Sequence, residues 1–375
     1  MCPGDAYWGH LAAKSAEIST NGLIQNDSGL PQGPADPSRV LMRQTACGFA
    51  VPMAKRGATM KNLILALMFV YSGAVLAADN PEWAYPVTPP LESKDNVIMK
   101  SVPGSMKQYT QAQIDDIFNP PDWYPNEHPP MPQIVTTGGT RPRTACALCH
   151  LPSGDGHPES ANIAGLPANY IVRQFLAFKN GDRKGGRAIA MLANSKLLSD
   201  EEMKSAADYF ASLKPRPGYT KVVETDMVAK SYVGAGGMRF ATPDGEKEPI
   251  GNRIIVLPQN PHLAELRDPH SGFIDYVPTG SIVKGAALMA GGEGKTITCT
   301  ICHGPNLKGL GEVPSIAGRP ATYIFRQLND MKIGNRKGPW VELMKQVVEK
   351  LDDNDMIALS AYAGPEAQKA SDQVR

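Results

Sequence analysis

Four of the six cysteines stand in two close pairs, each followed at once by a histidine: Cys146-Ala147-Leu148-Cys149-His150 and Cys299-Thr300-Ile301-Cys302-His303. Thiols at this spacing can add to the two vinyl groups on one edge of a porphyrin, and the adjoining histidine is then placed to bind the iron from one face. A zinc ribbon also uses two close cysteine pairs, but they lie roughly 15 to 20 residues apart and need no histidine beside each. Here the pairs are 153 residues apart. A thioredoxin-like redox site would need one pair in a strand-helix setting and gives no reason for two copies with histidines. The chemistry expected is therefore two covalently bound haem c groups, held by Cys146, Cys149, Cys299 and Cys302, with His150 and His303 as axial ligands.

Adding 153 to a position in the first unit gives its counterpart in the second, without a gap from Cys146 to Tyr209 and from Cys299 to Tyr362. Such a repeat marks two copies of one structural unit. Ile163-Ala164-Gly165-Leu166-Pro167-Ala168-Asn169-Tyr170-Ile171-Val172-Arg173-Gln174 matches Ile316-Ala317-Gly318-Arg319-Pro320-Ala321-Thr322-Tyr323-Ile324-Phe325-Arg326-Gln327, and Gly181, Arg183, Lys184 and Gly185 recur as Gly334, Arg336, Lys337 and Gly338.

The repeat also sorts the methionines, since only Met191 with Met344 and Met203 with Met356 recur in both units. Ser199-Asp200-Glu201-Glu202 reads as a capping box opening a helix whose inward face carries Met203, Ala206, Ala207 and Phe210. The same helix after Asp352 carries Met356, Leu359 and Tyr362, so both of these methionines are expected in the core. Met191 and Met344 precede that helix, each 41 residues after its haem histidine, where a connecting segment can cross the opposite haem face. They are the expected second axial ligands, and a thioether opposite histidine raises the reduction potential relative to bis-histidine ligation.

The elements around these motifs follow from composition. Glycine (36) and proline (33) are abundant and aromatics make up 7% of the 375 residues, which suits short helices and long loops. The formal net charge of +1 offers no basic surface for nucleic acid. Met60-Lys61-Asn62 opens an apolar run to Ala77-Ala78 that reads as a secretory signal peptide, shorter than a membrane span and without a cationic stop-transfer cluster. Cleavage after Ala77 or Ala78 and a periplasmic location are expected. Residues 1–59, with Cys2 and Cys47, are read as an upstream segment outside the native protein, which then starts at Met60.

Residues 79–128 form a proline-rich arm containing Trp83, Tyr85, Trp123 and Tyr124, expected to anchor it to a domain surface or to form a docking patch. The first domain is placed at 129–214 and the second at 281–375. The segment between them, 215–280, is long for a tether and partly extended around Asn252-Arg253-Ile254-Ile255-Val256-Leu257, so it is expected to pack between the domains. His128, His157, His262 and His270 lie in proline- or glycine-rich loops without repeat partners and are read as surface residues. Arg183 and Lys184, with Arg336 and Lys337, could pair with haem propionates, form a positive docking surface, or be ordinary solvated charge.

The haem motifs, the Ile-Ala-Gly-x-Pro-x-x-Tyr-Ile-x-Arg-Gln segments and the methionine ahead of a Leu-Ser-Asp or Leu-Asp-Asp helix start resemble the periplasmic di-haem class I cytochromes c, two-domain proteins that feed terminal oxidases and related acceptors. The resemblance covers both repeat units. It implies a mainly α fold: two tandem class I cytochrome c helical domains joined by a loop-rich, partly extended segment. It also implies that Tyr170, Arg173, Tyr323 and Arg326 line the haem pockets or join their packing. Electron transfer to redox protein partners, among them a membrane-associated oxidase or dehydrogenase, is the expected function, with no catalytic residue and no small-molecule substrate. The alternatives are a cytochrome subunit of a periplasmic dehydrogenase complex, or a di-haem enzyme such as a peroxidase or thiosulfate dehydrogenase.

Overall fold

Both halves of the repeat fold as helices wrapped around a loop, and the reason is local. In the first half the haem motif forms α3 (Cys146–His150), after the short helices α1 (Gln111–Ile114) and α2 (Gln133–Thr136). Pro167 then fixes the start of α4 (Ala168–Lys179), which is followed by α5 (Ile189–Leu197) and α6 (Asp200–Ser212). At α6 the Ser199 hydroxyl accepts from the Glu202 N–H at 3.2 Å while the Glu202 carboxylate accepts from the Ser199 N–H at 3.0 Å. This is the capping box the sequence announces. Met203 is buried on that helix among Ala206, Ala207 and Phe210, with Ile171 and Phe175 of α4 in the same core. The structure, a computed structural model, describes residues 80–89, 97–140, 143–185 and 188–364. The readings for the upstream segment 1–59, with Cys2 and Cys47, and for the signal segment 60–78 lie outside the described residues.

Residues 215–280 hold a three-stranded sheet in which β3 (Thr220–Glu224) runs parallel to β9 (Phe273–Val277), and β9 runs antiparallel to β8 (Ile255–Pro258). Two further antiparallel pairs, β4 (Met227–Ala229) with β7 (Lys247–Pro249) and β5 (Ser231–Val233) with β6 (Arg239–Ala241), and the short helix α7 (Pro261–Glu265) complete the segment. One more pair, β1 (Met99–Lys100) with β2 (Tyr109–Thr110), lies in the arm. The second half of the repeat supplies α8 (Ser281–Met289), α9 (Thr300–His303), α10 (Ala321–Lys332), α11 (Pro339–Val348) and α12 (Asp353–Tyr362).

The middle segment shares its core with the second half: Tyr219, Val222, Ile254 and Phe273 are buried together with Leu288, Phe325 and Met356. It also reaches the first half, where the Tyr219 hydroxyl donates to the Gly156 carbonyl at 2.6 Å. α8 crosses α12 so closely that a Cβ on Gly285 would come within 2.1 Å of the Ala358 carbonyl oxygen. The counterpart of Gly285 is Pro132, and there the helix shrinks to the four residues of α2.

The arm is tied down by its aromatic residues. Trp83 packs on Phe325 with ring centroids 4.6 Å apart, and the Tyr85 hydroxyl donates to Asp330 at 3.0 Å. Trp123 is buried and its indole N–H donates to the Leu266 carbonyl at 2.7 Å, while Tyr124 stacks on His270 at 3.9 Å.

The reading of four surface histidines needs correction. His262 and His270 are exposed, His128 is half-buried against Asp122 at 3.1 Å, and His157 is buried. A loop rich in proline and glycine looks solvated in sequence, but Arg267 of the middle segment folds over it and reaches His157 Nε2 at 3.5 Å.

Candidate haem sites

The histidines of the two Cys-x-x-Cys-His motifs are held alike. His150 Nδ1 donates to the Ala161 carbonyl and His303 Nδ1 to the Pro314 carbonyl, each at 2.8 Å and each eleven residues downstream. With the proton committed to Nδ1, Nε2 is left as a lone-pair donor, the form that binds a metal. Burial lowers the pKa of both rings, so the neutral imidazole is favoured in each.

The loop that supplies those carbonyls is also built twice. Ile163 and Ile316 donate to Gly154 and Leu307 at 2.9 Å, and Gly165 and Gly318 donate to Phe210 and Ala363 at 2.9 Å, which ties each loop to the last helix of its half. Directly after each histidine the chain takes a positive φ: Gly304 at φ 75, ψ 168 and Leu151 at φ 60, ψ 158. That region is open to glycine and strained for leucine.

In the first half, Cys146, Cys149, His150 and Met191 line one cavity, walled by apolar side chains including Ile163, Leu166, Phe175, Phe178, Leu198 and Phe210. Tyr170, Gln174 and Arg183 contribute polar groups to the same wall. An apolar slot with two thiols, one imidazole and one thioether on its surface fits a covalently held porphyrin with two charged propionates. Burial pushes the Cys146 thiol up to about 12 and the Cys299 thiol up to about 11, so both are protonated at neutral pH. In the second half, Cys299 and Met344 are partly buried against the core that contains Ile324, Phe325 and Leu328.

Met191 and Met344 lie on helices, α5 and α11, rather than on a connecting segment. Each helix is tied to the chain just before its cysteine pair: Arg143 Nη1 donates to the Leu197 carbonyl at 2.6 Å, and the Thr296 hydroxyl donates to the Val347 carbonyl at 2.8 Å.

Arg183 and Arg336 do not form a docking surface. They meet across the contact between the halves, where Lys184 N–H donates to Asn335 at 2.9 Å and Lys337 N–H to Asp182 at 2.7 Å. Arg183 donates to the Tyr323 hydroxyl at 3.1 Å and to Gln327 at 2.8 Å; Arg336 donates to the Tyr170 hydroxyl at 3.1 Å and to Gln174 at 2.9 Å. Lys184 and Lys337 are exposed.

The contact also redistributes the residues expected in the pockets. Tyr170 lines the first cavity, but Tyr323 and Arg326 of the second half line it too, joined by Gln327 and Asp330. Arg326 is buried and pairs with Glu159 at 3.3 Å, whereas Arg173 pairs with Glu312 at 2.8 Å and sits 4.9 Å above the Trp340 ring. Glu159 and Glu312 are themselves 153 apart, so the two pairs are the same contact made in both directions, a match the repeat could have disclosed. Asp330 and Arg143 had no such signal, because their counterparts are Ala177 and Thr296.

No family model matches the chain. A thiosulfate dehydrogenase electron acceptor of Stutzerimonas stutzeri (strain A1501) is 26% identical over 245 residues, 64% of this chain and 88% of the relative. Cytochrome c4 of Pseudomonas aeruginosa is 25% identical over 231 residues, 60% of this chain and 85% of the relative. Cytochrome c-554(548) of Halomonas halodenitrificans is 36% identical over 78 residues, 20% of this chain and 94% of the relative. Among solved structures, cytochrome c4 of Acidithiobacillus ferrooxidans aligns with TM-score 0.39 at 22% identity, covering 58% of this chain and 96% of that one. A thiosulfate dehydrogenase from Marichromatium purpuratum aligns with TM-score 0.38 at 25% identity, and the match spans only 36% of its length. With a haem motif in each half of an ungapped repeat and a cytochrome matched over nearly its full length, the chain belongs to the di-haem class I cytochromes c, proteins that carry electrons.

Proposed function

We propose that this protein is an exported electron carrier that holds two haem c groups, one through Cys146 and Cys149 with His150 and Met191 as axial ligands, the other through Cys299 and Cys302 with His303 and Met344. The observation that carries the reading is the single cavity lined by two thiols, an imidazole with its Nδ1 proton already committed, and a thioether. Bound haem supplies a reversible one-electron centre. The chain fixes the histidine tautomer and surrounds the ring with apolar side chains, and filling both axial positions from the protein leaves no place for a substrate.

The two haem-bearing halves exchange electrons with protein partners outside the cytoplasm. The name of the first relative, an electron acceptor of thiosulfate dehydrogenase, favours a role as the acceptor for an oxidising enzyme of that kind, with onward delivery to a terminal oxidase. Export rests on the apolar run from Met60 to Ala78.

The test is a pyridine haemochrome assay with a near-infrared spectrum of the oxidised protein. Two c-type haems per chain are expected, with a methionine-to-iron band that loses about half its intensity in Met191→Ala and again in Met344→Ala. An unchanged band in both variants would refute the ligand assignment. Absence of covalent haem would sink the whole reading.

A further inference from the structure

Counterparts in an exact repeat have equal exposure unless something outside the repeat covers one of them. At three of the five positions of the haem-attachment helices they differ in one direction, while Cys146 and Cys299 are both half-buried and His303 is the more buried histidine. Leu148 is 8% exposed and its counterpart Ile301 is 67% exposed; Ala147 is buried where Thr300 is open, and Cys149 is half-buried where Cys302 is exposed. The thioether cysteines mark the vinyl edge of the porphyrin, so this is a difference in how far each haem edge lies from solvent.

The cover on the first half comes from the arm and the middle segment, both outside the repeat. Arg267 is its centre. It donates from Nη1 to the Leu148 carbonyl at 3.1 Å, inside the haem motif itself, and from Nε to the Ile114 carbonyl of the arm at 3.0 Å, with Nη2 3.9 Å from Asp115. Its backbone sits at φ 58, a left-handed conformation uncommon for a residue with a side chain, held there by these contacts. Ala145 N–H donates to the Ile117 carbonyl of the arm at 2.9 Å, and the indole of Trp123 pins the arm to the residue next to Arg267 through the Leu266 carbonyl. Over Thr300, Ile301 and Cys302 the corresponding surface is open.

We infer that the arm and the middle segment seal the vinyl edge of the first haem, so that electrons enter and leave through the edge at Ile301 and Cys302. The first centre is then reached through the contact between the halves, where Tyr323, Arg326 and Gln327 already line its cavity. Tunnelling falls steeply with distance, so several ångströms of packed protein over one edge are enough to make the other the port. This inference rests on the two-haem reading above, and adds a direction to it: one half faces the partner and the other is an internal store.

The test uses the oxidised holoprotein, whose haem methyl resonances are shifted clear of the protein envelope. A neutral gadolinium chelate is titrated in, and the methyl signals are assigned to each haem by which set moves in Met191→Ala or Met344→Ala. The second-haem methyls are expected to broaden several-fold more per unit of probe than the first. In Arg267→Ala the first-haem methyls are expected to broaden more than in the wild type. Equal broadening of the two sets in the wild-type protein overturns the inference while leaving the two-haem reading intact, since both sets would still be present. Unequal broadening with no change in Arg267→Ala overturns the part given to Arg267. If that variant does not fold, the wild-type comparison still decides.

Discussion

Removing the charge on Glu202 should loosen the first haem site without touching the second. Arg143, with a side chain 1% exposed, spans three pieces of the first half. Its Nε donates to the Gly138 carbonyl at 2.8 Å and Nη1 to the Leu197 carbonyl at 2.6 Å, at the end of the helix that bears Met191. Nη1 and Nη2 also engage both oxygens of Glu202, the first at 2.9 Å. In Glu202→Gln the amide oxygen still accepts from the Ser199 N–H, so the capping box survives and only the ion pair is tested. Stranding a buried cation costs about 3 to 5 kcal/mol. Two carbonyl acceptors remain and Glu202 is 22% exposed, so the lower end applies, about 3 kcal/mol. At roughly 1 to 2 °C per kcal/mol for a chain of this size, the melting temperature should fall by about 3 to 6 °C. Thermal unfolding followed by circular dichroism reads this directly, and a double-mutant cycle with Arg143→Met isolates the pair. Arg143→Met also releases Leu197, so the methionine-to-iron band of the first haem should weaken while that of the second stays. A Glu202→Gln protein within about 0.5 kcal/mol of wild type would refute the reasoning.

Substitutions at two other positions separate competing effects. Asp275 is fully buried, and burial pushes its carboxyl up to about 7 even though Oδ2 accepts the Ala321 N–H at 2.5 Å. The folded protein therefore keeps a proton that the unfolded chain loses above 3.8, and stability should fall as pH climbs from there through about 7 and then level off. Asp275→Asn keeps an acceptor for Ala321 and removes this titration, so between about pH 5 and about pH 8 the urea midpoint of the wild type should fall relative to that of the variant; equal changes in the two proteins would defeat the assignment. At Leu151, buried and held at φ 60, ψ 158, the usual order of substitutions should reverse. Leu151→Ala loses packing worth about 2 to 5 kcal/mol and keeps the strain, whereas Leu151→Gly also gives up the β-carbon and about 0.5 to 1 kcal/mol of chain entropy but relieves about 1 to 3 kcal/mol of strain. Denaturant unfolding should place the glycine variant above the alanine variant, and the opposite order would show that the backbone is not strained.

The two Cys-x-x-Cys-His motifs stand out in sequence because the chemistry expected of them needs contiguous residues, Cys146 to His150 along one edge of one ring, whatever the rest of the chain does. The capping box at Ser199 was legible for the same reason, being complete within four residues, and the structure adds a matching one at Asp352. The helical setting of Met344 was partly visible, since Pro339 stands at the first turn of α11. Met191 gave less warning, because α5 has no side-chain cap. What could not be seen was anything that depends on the other half. Arg183 and Arg336 look like solvated charge until Gln327 and Tyr323 reach Arg183, and Gln174 and Tyr170 reach Arg336, across the contact. Arg173 and Arg326 look equivalent, yet only Arg326 is buried, with the Ala84 carbonyl of the arm among its acceptors. His157 was misread because its cover comes from Arg267, 110 positions away.

The paired contacts Arg173 with Glu312 and Arg326 with Glu159 have a bearing on ancestry. One half alone already carries both partners, an arginine and a glutamate at matching positions, so two copies of that half could meet by the same patch, each giving what the other receives. That is the geometry of an isologous homodimer with two-fold symmetry. Joining the copies in one chain replaces association between separate molecules by an intramolecular encounter, so the assembly no longer depends on concentration. Once joined, the copies were free to diverge, and the sealed and open faces of this protein are what a symmetric pair of separate subunits could not have had.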